Sequence, residues 1–259
     1  MEGIEIIDTN AGNIHEYGMC GYKNIKQEGY RRKIEWVRQR FPEGMKYKIL
    51  YSDKDGAVGG IEYIPGEYAW RPVEARGYMV IHCIYIIPRK YKGQGYGSLL
   101  LEACSEDARK GHMHGVAVVT RNGTWMVGKE LFVKNGFDVV DTAPPDFELL
   151  VKKVRRNAPS PKFKGDWERR LSQYDRGLVI FSSDQCPYLP IKALKAISET
   201  AERTYGIKPH IVELKHCEAA QNNSPCAFGT FCIAYDGKVI ADHPISNTRF
   251  MNIMNKILK

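Results

Sequence analysis

The chain has no uninterrupted apolar run of about 18 residues, so nothing in it reads as a membrane-spanning helix. It also has no Cys-x-x-Cys pair. Its seven cysteines, Cys20, Cys83, Cys104, Cys186, Cys217, Cys226 and Cys232, are widely spaced and odd in number. A closed zinc site usually draws on close ligand pairs, and a disulfide framework on an even set. No metal is expected, and the thiols are read as reduced and mostly buried. The opening MEGIEIIDTN has neither a basic segment nor an apolar core, so it does not read as a secretory signal; the expectation is a cytoplasmic protein. The P-loop pattern GxxxxGK[ST] and a dinucleotide-binding fingerprint are both missing. Internal repeats are absent as well. Disorder over most of the length is excluded, because 43% hydrophobic and 11% aromatic residues can offset chain entropy.

What is present fits one large domain or two small ones in 259 residues. The net charge of +8 is concentrated. Residues 1–151 carry 20 basic and 20 acidic side chains, whereas residues 152–170 (KKVRRNAPSPKFKGDWERR) carry 8 basic and 2 acidic. No groove-reading motif accompanies this basic stretch, so neither nucleic acid nor membrane is an expected partner. Its Ala158-Pro159-Ser160-Pro161 segment resists packing, which suits a linker. The expected division is a domain at 1–152, a basic linker at 153–168 and a second domain at 169–259.

In the first part, 19–41 reads as one or two helices. Strands are expected at 47–51, 57–63, 78–87, 115–120, 137–140 and 147–152. Helices are expected at 98–110, where Leu100, Ala103, Cys104 and Ala108 recur at helical spacing, and at 125–135, which Gly136 would cap. The second part reads as strand 178–182, helix 191–205, strand 209–213, a short helix at 217–222, a hairpin of 228–235 and 238–241 around Asp236-Gly237, and helix 247–258. That order makes a small α/β domain.

The informative unit is the apolar strand YMVIHCIYII, then Pro88, then KGQGYG, then a helix. Glycines at 93, 95 and 97 let the backbone turn tightly and approach a ligand. The turn feeds a helix start, whose unpaired N–H groups and dipole favour an anion such as phosphate. Together with Leu131-Phe132-Val133-Lys134-Asn135-Gly136-Phe137 downstream, this unit resembles the two signatures of the GNAT acyltransferase superfamily over residues 1–152.

The resemblance implies an α/β (α+β) fold, with the GNAT mixed sheet and flanking helices. It also implies transfer of an acetyl group from acetyl-CoA to an amine by direct attack on the thioester. Ile84, Tyr85 and Ile86 would pair with the pantetheine amides. Lys92, Gly93, Gln94, Gly95, Tyr96, Gly97 and Ser98 would hold the pyrophosphate, with Lys129 as a further phosphate contact. Phe132 stands where many members carry the tyrosine that protonates the leaving thiolate, and phenylalanine cannot do so. For the base, His82 has a suitable ordinary pKa, and Glu62 on the preceding strand could face the same cleft. Glu67, Tyr68 and Trp70 are candidates for lining an acceptor pocket. Cys83, adjacent to His82, is expected on the opposite face of its strand.

The second domain resembles the start of a thioredoxin or glutaredoxin fold. Cys186-Pro187-Tyr188-Leu189 is similar to glutaredoxin's Cys-Pro-Tyr-Cys without its second cysteine. Ser224-Pro225 sits where that fold keeps a cis-proline, and Cys226 is a candidate neighbour of Cys186. An acetyltransferase module followed by a thioredoxin-like tail resembles the YoaP-type family. The expected acceptor is the amine of a small molecule, and the oligomeric state stays open. Two other classes of function fit the same residues: an acyl-CoA-binding sensor without catalysis, and a thiol-dependent enzyme using Cys186.

Overall fold

The computed structural model describes residues 3–22, 26–123, 125–186 and 191–259, without the side chains of 191–193. The chain divides into two compact units, one of residues 1–69 and 73–163, the other of residues 70–72 and 164–259.

The first unit runs β1 (Ile4–Asp8), α1 (Glu28–Arg40), β2 (Lys46–Ser52), β3 (Gly56–Pro65), β4 (Val73–Glu74), β5 (Tyr78–Ile86), α2 (Tyr96–Lys110), β6 (Gly115–Thr120), α3 (Lys129–Lys134), β7 (Asp138–Ala143), β8 (Phe147–Lys153) and β9 (Lys162–Phe163). Among the described residues seven strands form one sheet in the order β1-β2-β3-β5-β6-β8-β7. Every pairing in it is antiparallel except β5 with β6. The fold is therefore a mixed α/β sheet with flanking helices. One face carries the apolar core: Leu50, Ile61, Tyr63, Ile81 and Ile84 from the strands meet Leu100, Leu101 and Cys104 of α2 and Phe132 of α3. The other face receives α1, whose Tyr30, Lys33, Ile34, Trp36 and Val37 are buried.

Two local readings in this unit are corrected. At 19–22 the chain makes a turn closed by a Met19–Tyr22 bridge, with Cys20 and Gly21 at positive φ; the helix begins at Glu28, and 23–25 lie outside the described residues. The helix expected over 125–135 is only α3, because Gly123 and Trp125 take positive φ and Thr120 Oγ1 donates to the Val127 carbonyl, holding the segment off helical geometry. Its end is as expected: Gly136 has φ 81°, and the N–H groups of Gly136 and Phe137 bond the carbonyls of Val133 and Phe132. Strand β1 is not among the expected elements. In the stretch 153–168, β9 pairs with β4, Ala158 and Phe163 are buried, and Tyr78 Oη donates to the Pro159 carbonyl at 2.8 Å.

The second unit runs α4 (Trp167–Ser172), β10 (Leu178–Ser182), α5 (Ile191–Tyr205), β11 (His210–Glu213), α6 (Cys217–Asn223), β12 (Phe231–Tyr235), β13 (Lys238–Ala241) and α7 (Asn247–Ile257). Its sheet order is β11-β10-β12-β13, with β10 and β11 parallel and the other pairs antiparallel. The strand expected from 228 starts at Phe231, since Gly229 has φ 83° and closes a turn on the Cys226 carbonyl. Arg170, 3% exposed, donates to the carbonyls of Gln221 and Ser224, so a charge inside this unit is fully partnered. Among the described residues no helix is long and apolar enough to cross a membrane.

Phe132 is 1% exposed and packs edge-on to Phe137 at 5.7 Å, whereas Val133 is 52% exposed. Truncating Phe132 to alanine is expected to cost about 3–5 kcal/mol and Val133 to alanine under about 1 kcal/mol. Denaturant melts of the two variants check this; equal losses would contradict the core assignment.

Candidate active site

The site is built by an irregularity in β5. Along β3 the register takes one step, from Glu62 to Tyr63, while β5 takes two, from Cys83 to Ile81. This is a β-bulge, which turns two neighbouring side chains to the same side. Ile81 and Ile84 both enter the apolar core although they are three residues apart, and His82 and Cys83 are both turned toward the α1 face. The expectation that Cys83 and His82 point to opposite faces is thereby corrected. Pairing with β6 ends at the same place: it covers Tyr78–Ile81 against Gly115–Val118, although β5 continues to Ile86 and β6 to Thr120. Ile84, Tyr85 and Ile86 remain paired to β3, while on their other edge the ladder to β6 is open. Gly59 and Gly60 permit this run. A Cβ on Gly60 would stand 2.9 Å from Tyr85 Oη, and one on Gly59 would stand 2.8 Å from the Tyr85 carbonyl oxygen.

After β5 comes a short 3-10 turn (Arg89–Tyr91), then Lys92–Gly95, and α2 starts at Tyr96. Gly93 and Gly95 have φ of 78° and 86°, and a Cβ on either would meet no atom within 4 Å. The turn therefore needs glycine for its backbone and is bordered by open space. The first bond at this end of the helix is Leu99 N–H to the Gly95 carbonyl at 3.1 Å. The amides of Tyr96, Gly97 and Ser98 precede it as helix-start donors. Lys92 and Gln94 are exposed, with Gln94 Nε2 on the Lys90 carbonyl at 2.6 Å. Tyr96 packs against Tyr91, Gly97 against Leu131, and Ser98 Oγ accepts from Asn135 Nδ2 at 3.0 Å.

On the α1 face the two candidate catalytic residues meet. Glu62 Oε1 lies 3.2 Å from His82 Nδ1, and Glu62 Oε2 accepts from Lys33 Nζ, with all three side chains at most 1% exposed. Lys33 Nζ also lies 4.3 Å from the centre of the Trp36 ring. Burial pushes the Glu62 carboxyl up, but the Lys33 charge and the hydrogen bond and charge of His82 outweigh it and hold the pKa at about 2. Glu62 is thus an ionised acceptor at neutral pH and a feeble base itself. In the neutral imidazole this fixes the proton on Nδ1 and leaves the lone pair on Nε2. Beside this group, Tyr47 Oη donates to Tyr85 Oη at 3.4 Å and Cys20 Sγ lies 3.7 Å from Tyr47 Oη. Burial raises both phenols well above their ordinary value, so they stay protonated.

Other expected residues fall elsewhere. Lys129 is engaged with Glu148 at 2.7 Å. Glu67 accepts from the Gly77 amide at 3.1 Å, Tyr68 is exposed, and Trp70 belongs to the second unit. In that unit the Cys226 thiol is buried and hydrogen-bonded to the Cys232 thiol, and Pro187, Tyr188 and Leu189 lie outside the described residues. The cis peptides among the described residues are Ile87–Pro88 and Pro144–Pro145; Ser224–Pro225 is not one of them. Among the described residues no cluster of His, Cys, Asp and Glu could hold a metal. Sequence reasoning missed Lys33, although the signal was there: it lies on the apolar stripe of α1 with Tyr30, Ile34 and Val37.

Residues 12–137 match the family described as acetyltransferase (GNAT) family, and residues 210–252 match the family described as YoaP-like. The chain thus carries a GNAT acetyltransferase domain followed by a YoaP-like domain, and it is an acyltransferase. Over 255 residues it is 28% identical to the "Uncharacterized N-acetyltransferase YoaP" of Bacillus subtilis (strain 168), covering 97% of this chain and 98% of that protein. Among solved structures it is similar to the PaiA N-acetyltransferase of Thermoplasma acidophilum in complex with coenzyme A, at 19% identity, TM-score 0.41, 58% of this chain and 99% of that one. It is also similar to a GNAT-family acetyltransferase of Staphylococcus aureus Mu50, at 13% identity, TM-score 0.43, 59% of this chain and 100% of that one.

Because Glu62 titrates near 2 in the folded chain against an ordinary 4.5, its stabilisation is complete above about pH 4.5 and drains away as pH falls toward 2. Glu62→Gln removes this acid-labile increment and leaves Lys33 buried without a counter-charge, a cost of about 3–5 kcal/mol at pH 7. Urea melts from pH 2 to 7 check it; parallel pH profiles for the two proteins would contradict the ion pair.

Proposed function

We propose that this chain transfers the acetyl group of acetyl-CoA to the amine of a small molecule by direct attack on the thioester. The observation that carries the reading is the strand β5, which loses β6 after Ile81 and leads straight into the glycine turn at the start of α2. Backbone groups of Ile84, Tyr85 and Ile86 at the opening suit the amides of the pantetheine arm. The amides from Gly93 to Ser98, with the Lys92 charge, suit the pyrophosphate, and the space around Gly93 and Gly95 lets a ligand approach the backbone. Lys129 joins them only by leaving Glu148.

His82 takes the ammonium proton of the acceptor, directly or through one water, and Glu62 orients the ring and stabilises its charged form. Lys33 keeps Glu62 ionised. Phe132, being core, supplies no proton to the leaving thiolate. The base and its partners lie deep under α1, so an unhindered small amine suits them better than a side chain on a folded protein's surface. The second unit reads as a thioredoxin-like accessory domain; its support is the sheet order with one parallel pair and the α5 crossover.

Calorimetric titration with acetyl-CoA and with CoA tests the binding step. Micromolar affinity is expected, lost in Gly95→Trp, whose ring would occupy the open side of the turn. His82→Gln should bind acetyl-CoA as wild type does while thiol release with a panel of small primary amines falls about 10²–10⁴-fold. No binding by the intact chain would overturn the reading, and binding without turnover on any amine would favour an acyl-CoA sensor.

A further inference from the structure

Two thiols beside the site have no part in the acyl-transfer chemistry above. Cys20 sits in the turn closed by Met19 and Tyr22 with φ 52°, a backbone that side-chain-bearing residues adopt uncommonly. Its thiol is hydrogen-bonded to that of Cys83, which the bulge has carried onto this face opposite Glu62. Cys20 is buried and Cys83 is partly exposed. The Cys83 hydrogen bond, against burial and with help from the Lys33 charge and the Tyr47 hydroxyl, holds the Cys20 thiol below its usual pKa. A partly exposed cysteine and a buried one, with their thiols hydrogen-bonded, make the layout of thiol–disulfide exchange, in which the first attacks and the second resolves. The thiol pair Cys226 and Cys232 of the other unit differs in that both members are buried.

We propose that Cys83 and Cys20 form a dithiol that reduces a low-molecular-weight disulfide and closes into an intramolecular disulfide. The Cys83 sulfur attacks one sulfur of the small disulfide; the S–S bond breaks, and the leaving sulfur takes the Cys83 proton and departs as a thiol. Cys20 then attacks the Cys83 sulfur of the mixed disulfide and expels the second thiolate. The two protons of the cysteines end on the two small thiols, so one disulfide is reduced and one is formed. The oxidant is a disulfide of coenzyme A or of glutathione. The choice between them rests on the proposed function: a cofactor with its phosphates on Gly93–Ser98 runs back along Ile86, Tyr85 and Ile84, bringing its sulfur end toward Cys83.

The test incubates the folded full-length protein with coenzyme A disulfide in one arm and oxidised glutathione in the other. It then alkylates the remaining thiols after denaturation and maps them by peptide mass. Two of the seven cysteines, Cys20 and Cys83, are expected to become unreactive, faster in the coenzyme A arm if the cofactor site directs the reaction. Cys20→Ser should stop at a stoichiometric mixed disulfide on Cys83. Full alkylation of all seven in both arms, or oxidation confined to Cys226 and Cys232, would overturn the proposal. CoA binding measured on the same sample separates the two claims: binding without oxidation removes the dithiol alone, and oxidation without binding removes the coenzyme A site alone.

Discussion

Between Glu62 and Tyr63 the strand β3 advances by one residue while β5 advances by two, and the geometry of the site follows from that mismatch. The extra residue reverses which side chains of β5 face the core, so Ile84 returns to the α2 side while His82 and Cys83 are turned toward α1. The bend also coincides with the end of β6 pairing, which opens the sheet beside Ile84–Ile86. A regular strand would have offered an alternating surface and a closed edge. The bulge instead sets a polar cluster beside an opening whose far end is a glycine turn and a helix start.

The polar cluster is kept in a dry place by mutual satisfaction. An isolated Lys33 ammonium under α1 would be costly, and so would an isolated Glu62 carboxylate. Paired with each other, with Trp36 under the ammonium and His82 on the second carboxylate oxygen, they hold one protonation pattern and one ring orientation. The phenols of Tyr47 and Tyr85 and the thiols of Cys20 and Cys83 extend the same hydrogen-bonded region.

Much of this was legible locally. The run YMVIHCIYII bounded by Pro88, the glycine turn and the Leu100–Ala108 spacing each carry their structure in a few neighbouring residues, and the strand, turn and helix lie where those residues put them. Glu62 and His82 were picked out for their chemistry, but their contact depends on the bulge, which strict alternation cannot foresee. Lys33 showed its burial through its place on the apolar stripe of α1, but its partner, Glu62 on β3, is set only by the packing of the helix on the sheet. Residues 125–128 read as helix because their apolar content fits; the glycine at 123 and the hydroxyl of Thr120 decide otherwise. β1 and the β4–β9 pair exist only through partners distant in sequence.

The proposed cofactor site runs along one edge of β5 and across the start of α2. Amide hydrogen exchange on the full chain, with and without coenzyme A, measures that directly. Slowed exchange is predicted at Ile84–Ile86 and at Gly93–Ser98 together, with the amides of the β2–β3 pairing unchanged. Unchanged exchange in both segments at saturating coenzyme A, or protection confined to other parts of the chain, would contradict it.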